Sequence, residues 1–181
     1  MSKLTTLISR GKTLESSHEI KCFIGTINRK TIFSTNNEND IIFPRSSIKI
    51  FQGIPFSSSN AVKLYNLNRK QIALSCSSHC GEDFHIKELN KWLEKVNLKL
   101  SDLKCGIHNP IHQKSSNNLF LSGRQPDQIY NNCAGKHLAM LTSCVVNNFP
   151  IKNYVDFDHP HQINIRKVFA KFTEDIIPKK N

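Results

Sequence analysis

Between Asn131 and His137 the chain reads Asn131-Asn132-Cys133-Ala134-Gly135-Lys136-His137, which places a thiol, an amine and an imidazole within one short stretch. The apolar run behind it, Leu138-Ala139-Met140-Leu141 through Val145-Val146, predicts a helix starting near Ala134. Cys133 then lies one turn from both Lys136 and His137, at i+3 and i+4, and all three project from one side. Asn132 is the expected cap, and Gly135 admits close approach of another backbone or of a ligand. A cysteine beside two nitrogen donors is half of a metal site or an activated thiol. A capped helix start with an incidental cysteine is the third reading.

A second stretch able to do chemistry is Phe43-Pro44-Arg45-Ser46-Ser47-Ile48-Lys49. Ser46 and Lys49, at i and i+3, face each other across one helical turn, within reach for the amine to take the hydroxyl proton. Serine is a poor nucleophile until a base sits beside it, and a partly desolvated lysine is such a base. The competing reading makes Ser46 a helix cap, ahead of an apolar face of Ile48, Phe51 and Ile54. A third stretch, Ser77-Ser78-His79-Cys80-Gly81-Glu82, ends the apolar element that begins at Ile72. Polar groups are often presented at such a place. Adjacent Ser78 and His79 side chains diverge, so these two do not form a dyad.

The elements that must position these groups are strands first, helices after. Leu4–Ser9 predicts a strand, and Ile20–Ile27 turning through Asn28-Arg29-Lys30 into Thr31–Ser34 predicts a hairpin. Thr35–Asp40 is a polar loop, followed by the apolar Ile41-Ile42-Phe43 and a change of direction at Pro44. An amphipathic helix is expected from His85 to Leu98, burying Ile86, Leu89, Trp92, Leu93 and Val96. Residues 101–132, with the soft segment Lys114–Asn118, read as a long, mostly irregular stretch that is a binding or lid region or else lacks its partner structure. A last helix is expected to start within Asp156–Pro160, with Pro160 in its first turn; Ile163, Val168, Phe169 and Phe172 give it an apolar side, and Pro178 stops it.

With 181 residues, 38% hydrophobic and 22% charged, the chain reads as one globular domain spanning 1–181. Its net charge of +11 is spread over scattered lysines, and no nucleic-acid-binding signature accompanies it. We therefore read the charge as a solvated surface and expect no nucleic-acid partner. No stretch approaches the roughly 18 apolar residues of a membrane span, and Met1–Ser9 lacks the features of a signal peptide. The expectation is a cytoplasmic protein whose six cysteines (Cys22, Cys76, Cys80, Cys105, Cys133 and Cys144) are reduced.

Taken together and in this order, the Ser46, Ser78 and Cys133 motifs resemble the Rhizobium-type (class 3) asparaginases, the L-asparaginase II family. Ser9-Arg10-Gly11, Glu15-Ser16, Leu103-Lys104-Cys105-Gly106 and Asp158-His159-Pro160 fit the same pattern, so the resemblance extends over essentially the whole chain. It implies hydrolysis of L-asparagine to L-aspartate and ammonia. The implied fold is α+β, antiparallel strands with packed helices, forming the N-terminal half of a serine β-lactamase or penicillin-binding-protein-like fold. The Ser-x-x-Lys spacing recurs in those proteins.

By the same resemblance Ser46 is the nucleophile, Lys49 its base and Ser78 a second catalytic serine. Cys133 and Lys136 are zinc ligands, His137 lines the pocket, and Arg45 is assigned to the pocket wall or an anion contact. Cys80 departs from the family, which usually has serine or another small residue there. Family members are about twice as long. A further cysteine ligand, a lysine partner for Ser78 and the late strands of the sheet are accordingly expected beyond Asn181, with Cys144 too far along its helix to substitute. Three readings follow: an active asparaginase, as a homodimer or with a partner supplying the C-terminal half; an inactive truncated remnant or one half of a split enzyme; and a small basic binding protein.

Overall fold

A computed structural model describes residues 4–35 and 40–173 of the chain. They fall into two compact units, Met1–Pro44 and Arg45–Asn181. The content is α+β, helices together with small antiparallel sheets.

In the first unit, β1 (Leu4–Arg10) runs antiparallel to β2 (Thr13–Ile20), from Leu4 opposite Ile20 to Arg10 opposite Thr13. Gly11 turns the ribbon at φ +61°, a conformation that side chains disfavour. Arg10 and Glu15 pair at 2.6 Å on its surface. The sequence reading did not foresee β2. Thr13–Ile20 is mostly polar and lacks alternation, so it is a strand because β1 offers it a hydrogen-bonding edge. The expected hairpin is present but shorter, with β3 (Phe23–Gly25) against β4 (Thr31–Ser34) and Arg29 at φ +62° in its turn. Cys22 and Thr35 extend it, each N–H donating to the other residue at 3.0 Å. Most of the predicted loop, residues 36–39, lies outside the described residues.

The second unit is helical. It starts with a 3-10 turn, Arg45–Ile48, that leads into α1 (Lys49–Ser57). Short helices α2 (Ala61–Leu64) and α3 (Arg69–Leu74) follow. Asn68 caps α3, accepting from the Gln71 N–H at 2.9 Å while the Gln71 side chain accepts from the Asn68 N–H. The predicted amphipathic helix is α4 (Asp83–Val96), which buries Leu89, Trp92, Leu93 and Val96. It stops where Asn97 turns left-handed at φ +54° and the Leu98 N–H reaches back to the Leu93 carbonyl.

The helix α6 (Ala134–Val146) is the centre of the core, with every residue from Leu138 to Cys144 buried. Helices on several sides explain this, since α1, α4 and α7 (Pro160–Thr173) all pack on it. Trp92 fills the α4 contact and donates its indole N–H to Thr142 at 3.0 Å, while Thr142 donates in turn to the Leu138 carbonyl. Both buried polar groups are therefore satisfied.

Two expectations need correction. The Lys114–Asn118 segment is not irregular: it lies within α5 (Gln113–Leu121). Serine and asparagine are weak helix formers, and only Leu119 of this helix is buried, which left little signal to find. On α7 the buried residues are His161 and Ile165, one turn apart; Ile163, Val168 and Phe169 are half-buried and Phe172 is exposed. Phe169 and Phe172 instead clasp Phe51 of α1, with ring centroids 5.5 and 5.0 Å away. The expected stop at Pro178 lies outside the described residues. Among the described residues, no helix is long and apolar enough to cross a membrane.

Candidate active site

Lys49 is the first residue of α1, and its side chain is 3% exposed. Its Nζ donates to the Ser78 hydroxyl at 2.6 Å and to the Ser77 carbonyl at 3.1 Å. Burying an amine is tolerated when its protons find acceptors, and here the loop between α3 and α4 supplies them. Ser46 lies one turn earlier, in the 3-10 segment, and is exposed. The residue at the cap position of α1 is Ile48, with no side-chain cap bond, so Ser46 does not serve as the cap. Among the described residues, the hydrogen bonds of Lys49 run to Ser77 and Ser78 and none to Ser46. Arg45, exposed, opens the turn at φ +48°.

The loop carrying Ser78 is held at several points. The His79 N–H donates to the Asn132 carbonyl, and the His112 N–H to the Cys80 carbonyl. The Gly81 N–H donates to His79 Nδ1 at 3.1 Å, with Gly81 itself at φ +76° against Pro110. Ser78 is exposed on this braced loop while His79 is buried. Burial, then the neighbouring His85, His108 and Lys49, pulls the His79 imidazole down to about 4, so it is neutral near pH 7.

The same loop meets the start of α6. A side chain at Gly135 would lie 2.2 Å from the Leu74 carbonyl oxygen, so the first turn of α6 packs directly on the end of α3. Of the two uses foreseen for this glycine, the structure shows approach of another backbone. The cap of α6 is Cys133 rather than Asn132. Asn131 organises it: its Oδ1 accepts the Cys133 N–H at 2.9 Å and its Nδ2 donates to the Cys105 carbonyl at 2.7 Å. Asn132 instead uses its backbone, donating to His108 Nε2 and accepting from His79.

Cys133 is a half-buried free thiol at this cap. Lys136 is half-buried, and burial lowers its proton affinity; Cys133 and Cys105 oppose that effect while Lys49 adds to it. His137, buried, is drawn down to about 4 by desolvation, then by Lys136 and Lys49. Its Nδ1 lies 2.6 Å from the hydroxyl of Tyr154. Lys136 therefore stands within electrostatic reach of Cys133, Cys105 and Lys49 together.

Cys105 and Tyr154 were not singled out as site residues in the sequence. Burial pushes the Cys105 thiol up to about 11, and its Sγ contacts the Gln128 carbonyl. The Cys-Gly pair at 105–106 was a signal for the first, whereas nothing local to Tyr154 marks it. Cys80 is exposed and Cys144 buried in the core.

A thiol and an amine are the donor types that zinc accepts, and an amine whose protonated form is disfavoured by burial is the kind that can ligate. Cys133 and Lys136, the pair that the resemblance assigns to zinc, are a thiol and an amine held at one helix start. Among the described residues, no group of three or more histidines, cysteines or carboxylates is gathered to hold a metal.

The arrangement places a buried amine against a serine hydroxyl, next to a helix start bearing a thiol, a second amine and a neutral imidazole. It offers a base, hydroxyl nucleophiles and fixed polar groups, the parts of an acyl-transfer site. No curated protein matches the chain. A model of the L-asparaginase II family matches residues 7–179. With these motifs in place along nearly its whole length, the chain belongs to the L-asparaginase II family.

Proposed function

We propose that the chain is an asparaginase-type amidohydrolase that converts L-asparagine to L-aspartate and ammonia through Ser/Lys chemistry in the cytoplasm. The observation that carries this reading is the buried Lys49 amine, 2.6 Å from the Ser78 hydroxyl and one turn from Ser46, in a chain of this family. In the proposed reaction Ser46 Oγ attacks the side-chain amide carbon and its proton passes to Lys49 Nζ, acting as the base. That proton then goes to the leaving nitrogen, which departs as ammonia, and water hydrolyses the ester left on Ser46. Ser78, hydrogen-bonded to the same amine, is the second serine of the relay. Arg45 and His137 contact the substrate. Cys133 and Lys136 would hold zinc, which when bound supplies Lewis-acid polarisation of a substrate oxygen. A relationship to the serine β-lactamase-like fold belongs to this same proposal.

The test is ammonia release from L-asparagine by the purified 181-residue chain, with and without added zinc. Release that disappears in Ser46→Ala supports the reading, and undiminished turnover in that variant sinks the assignment of Ser46.

A second reading, one half of a split enzyme or an inactive remnant, is favoured by the first unit. Its strands expose Leu7, Leu14, Phe23, Ile24 and Ile32, apolar surface of the kind a partner covers. Soluble, folded chain without ammonia release, regaining it on addition of a C-terminal half, is the outcome that selects this alternative.

A further inference from the structure

Tyr154 is 0% exposed, in the segment between α6 and α7, and its hydroxyl has two neighbours. The Lys104 N–H donates to it at 2.9 Å, and His137 Nδ1 lies 2.6 Å away, with the two rings edge to face. A backbone N–H can only donate, so toward Lys104 the hydroxyl is an acceptor. Its own proton then has a single acceptor among the described residues, His137 Nδ1. Were His137 to donate from Nδ1 instead, the phenol proton would be buried with no partner, a costly arrangement. The bond direction follows from satisfaction alone: Tyr154 donates and Nδ1 accepts.

This leaves the ring's proton on Nε2, at the opposite edge of the imidazole. Among the described residues, the ring nitrogens sealed from solvent without a partner are on His79 and His161; Nε2 of His137 is not one of them. His137 lies in the first turn of α6, next to Lys136 and within electrostatic reach of Lys49.

We propose that Tyr154 is a positioning residue that holds His137 as its Nε2–H tautomer, presenting a fixed N–H donor to an oxygen of an amide or carboxylate substrate. The substrate part of this proposal rests on the asparaginase reading; the tautomer part does not. Orienting a histidine through its far nitrogen is a common device, because the partner of one nitrogen decides the role of the other.

The test is long-range 15N–1H NMR of the histidine-labelled full chain at neutral pH, with the His137 signals assigned by their loss in His137→Gln. The expected spectrum shows Nδ1 in the unprotonated, acceptor range and Nε2 protonated. A protonated Nδ1 in the wild-type chain overturns the proposal, and this measurement needs no variant of Tyr154 to fold. In Tyr154→Phe, which keeps the ring and removes the hydroxyl, the His137 signals should move to the averaged shifts of a tautomer mixture, with kcat/KM for L-asparagine falling about tenfold. Retention of the pure Nε2–H pattern in Tyr154→Phe also overturns it, by showing that the hydroxyl does not set the tautomer. Failure of the wild-type chain to turn over asparagine counts against the substrate reading alone, since the NMR pattern decides the positioning role.

Discussion

Lys49 shows at the scale of one residue why a buried amine is informative. Its side chain is 3% exposed and ends on two oxygens of one loop. Replacing buried charged groups by apolar residues of similar volume is often neutral or stabilising, so packing alone does not call for an amine at that depth. Replacement by Met, which keeps the stem but removes the base, is expected to lower asparagine turnover by about 10²–10⁴-fold. Lys49→Arg should not rescue it, because a guanidinium stays protonated and cannot take the serine proton. Ammonia release under saturating substrate checks both. Asn131 is the other residue whose chemistry is tightly specified, since its amide accepts from Cys133 and donates to Cys105. Asn131→Asp loses the donor and sets a carboxylate against the Cys105 carbonyl, so it should cost roughly 1–3 kcal/mol in urea unfolding.

The decisive element is α6, which is buried along most of its length and brings Cys133, Lys136 and His137 to the loop carrying Ser78. Its entry depends on Gly135, where an added Cβ would meet the Leu74 carbonyl oxygen at 2.2 Å. That neighbour is backbone, so relief requires moving α6 away from the end of α3. Gly135→Ala is expected to destabilise the fold by about 1–3 kcal/mol or more, despite alanine's better helix propensity. A lowered urea midpoint with unchanged slope is the predicted signature. Because the shift of α6 also pulls Lys136 and His137 from Lys49, turnover should fall even under conditions where the variant remains folded.

On the scale of the whole molecule, buried neutral histidines link stability to pH. Burial is the largest influence on both His79 and His161, lowering each to about 4, and both ring nitrogens of His161 lack partners. Unfolded, they titrate near their ordinary value of 6.5. Between pH 6.5 and 4 the unfolded chain therefore binds more protons, so stability is complete above about pH 6.5 and declines as pH falls toward 4. Thermal melts across that window should show a falling Tm. His161→Leu should flatten this dependence while leaving stability at pH 7.5 equal or higher, because it replaces an unpartnered imidazole with an apolar side chain. An unchanged acid slope in His161→Leu would show that the linkage lies elsewhere.

Much of this protein is legible without coordinates, and the reason is local. The period of Leu89, Trp92, Leu93 and Val96 specifies α4, and the apolar run after Gly135 specifies α6, because each pattern is carried within its own segment. The Ser46, Ser78 and Cys133 motifs taken together likewise carry the family resemblance, and with it the candidate chemistry, in short stretches of chain. What the sequence left open depends on partners distant along it. Polar β2 is a strand because β1 lies beside it, and α5 is a helix despite its serines and asparagines. Lys49 directs its amine to Ser78 and Ser77 across a separation that no spacing rule covers. Tyr154 reaches His137, and Asn131 ties Cys105 to Cys133, only once α6 is packed into the core. Side-chain periodicity encodes which face of an element is buried, whereas hydrogen bonds between remote loops exist only after those faces have met.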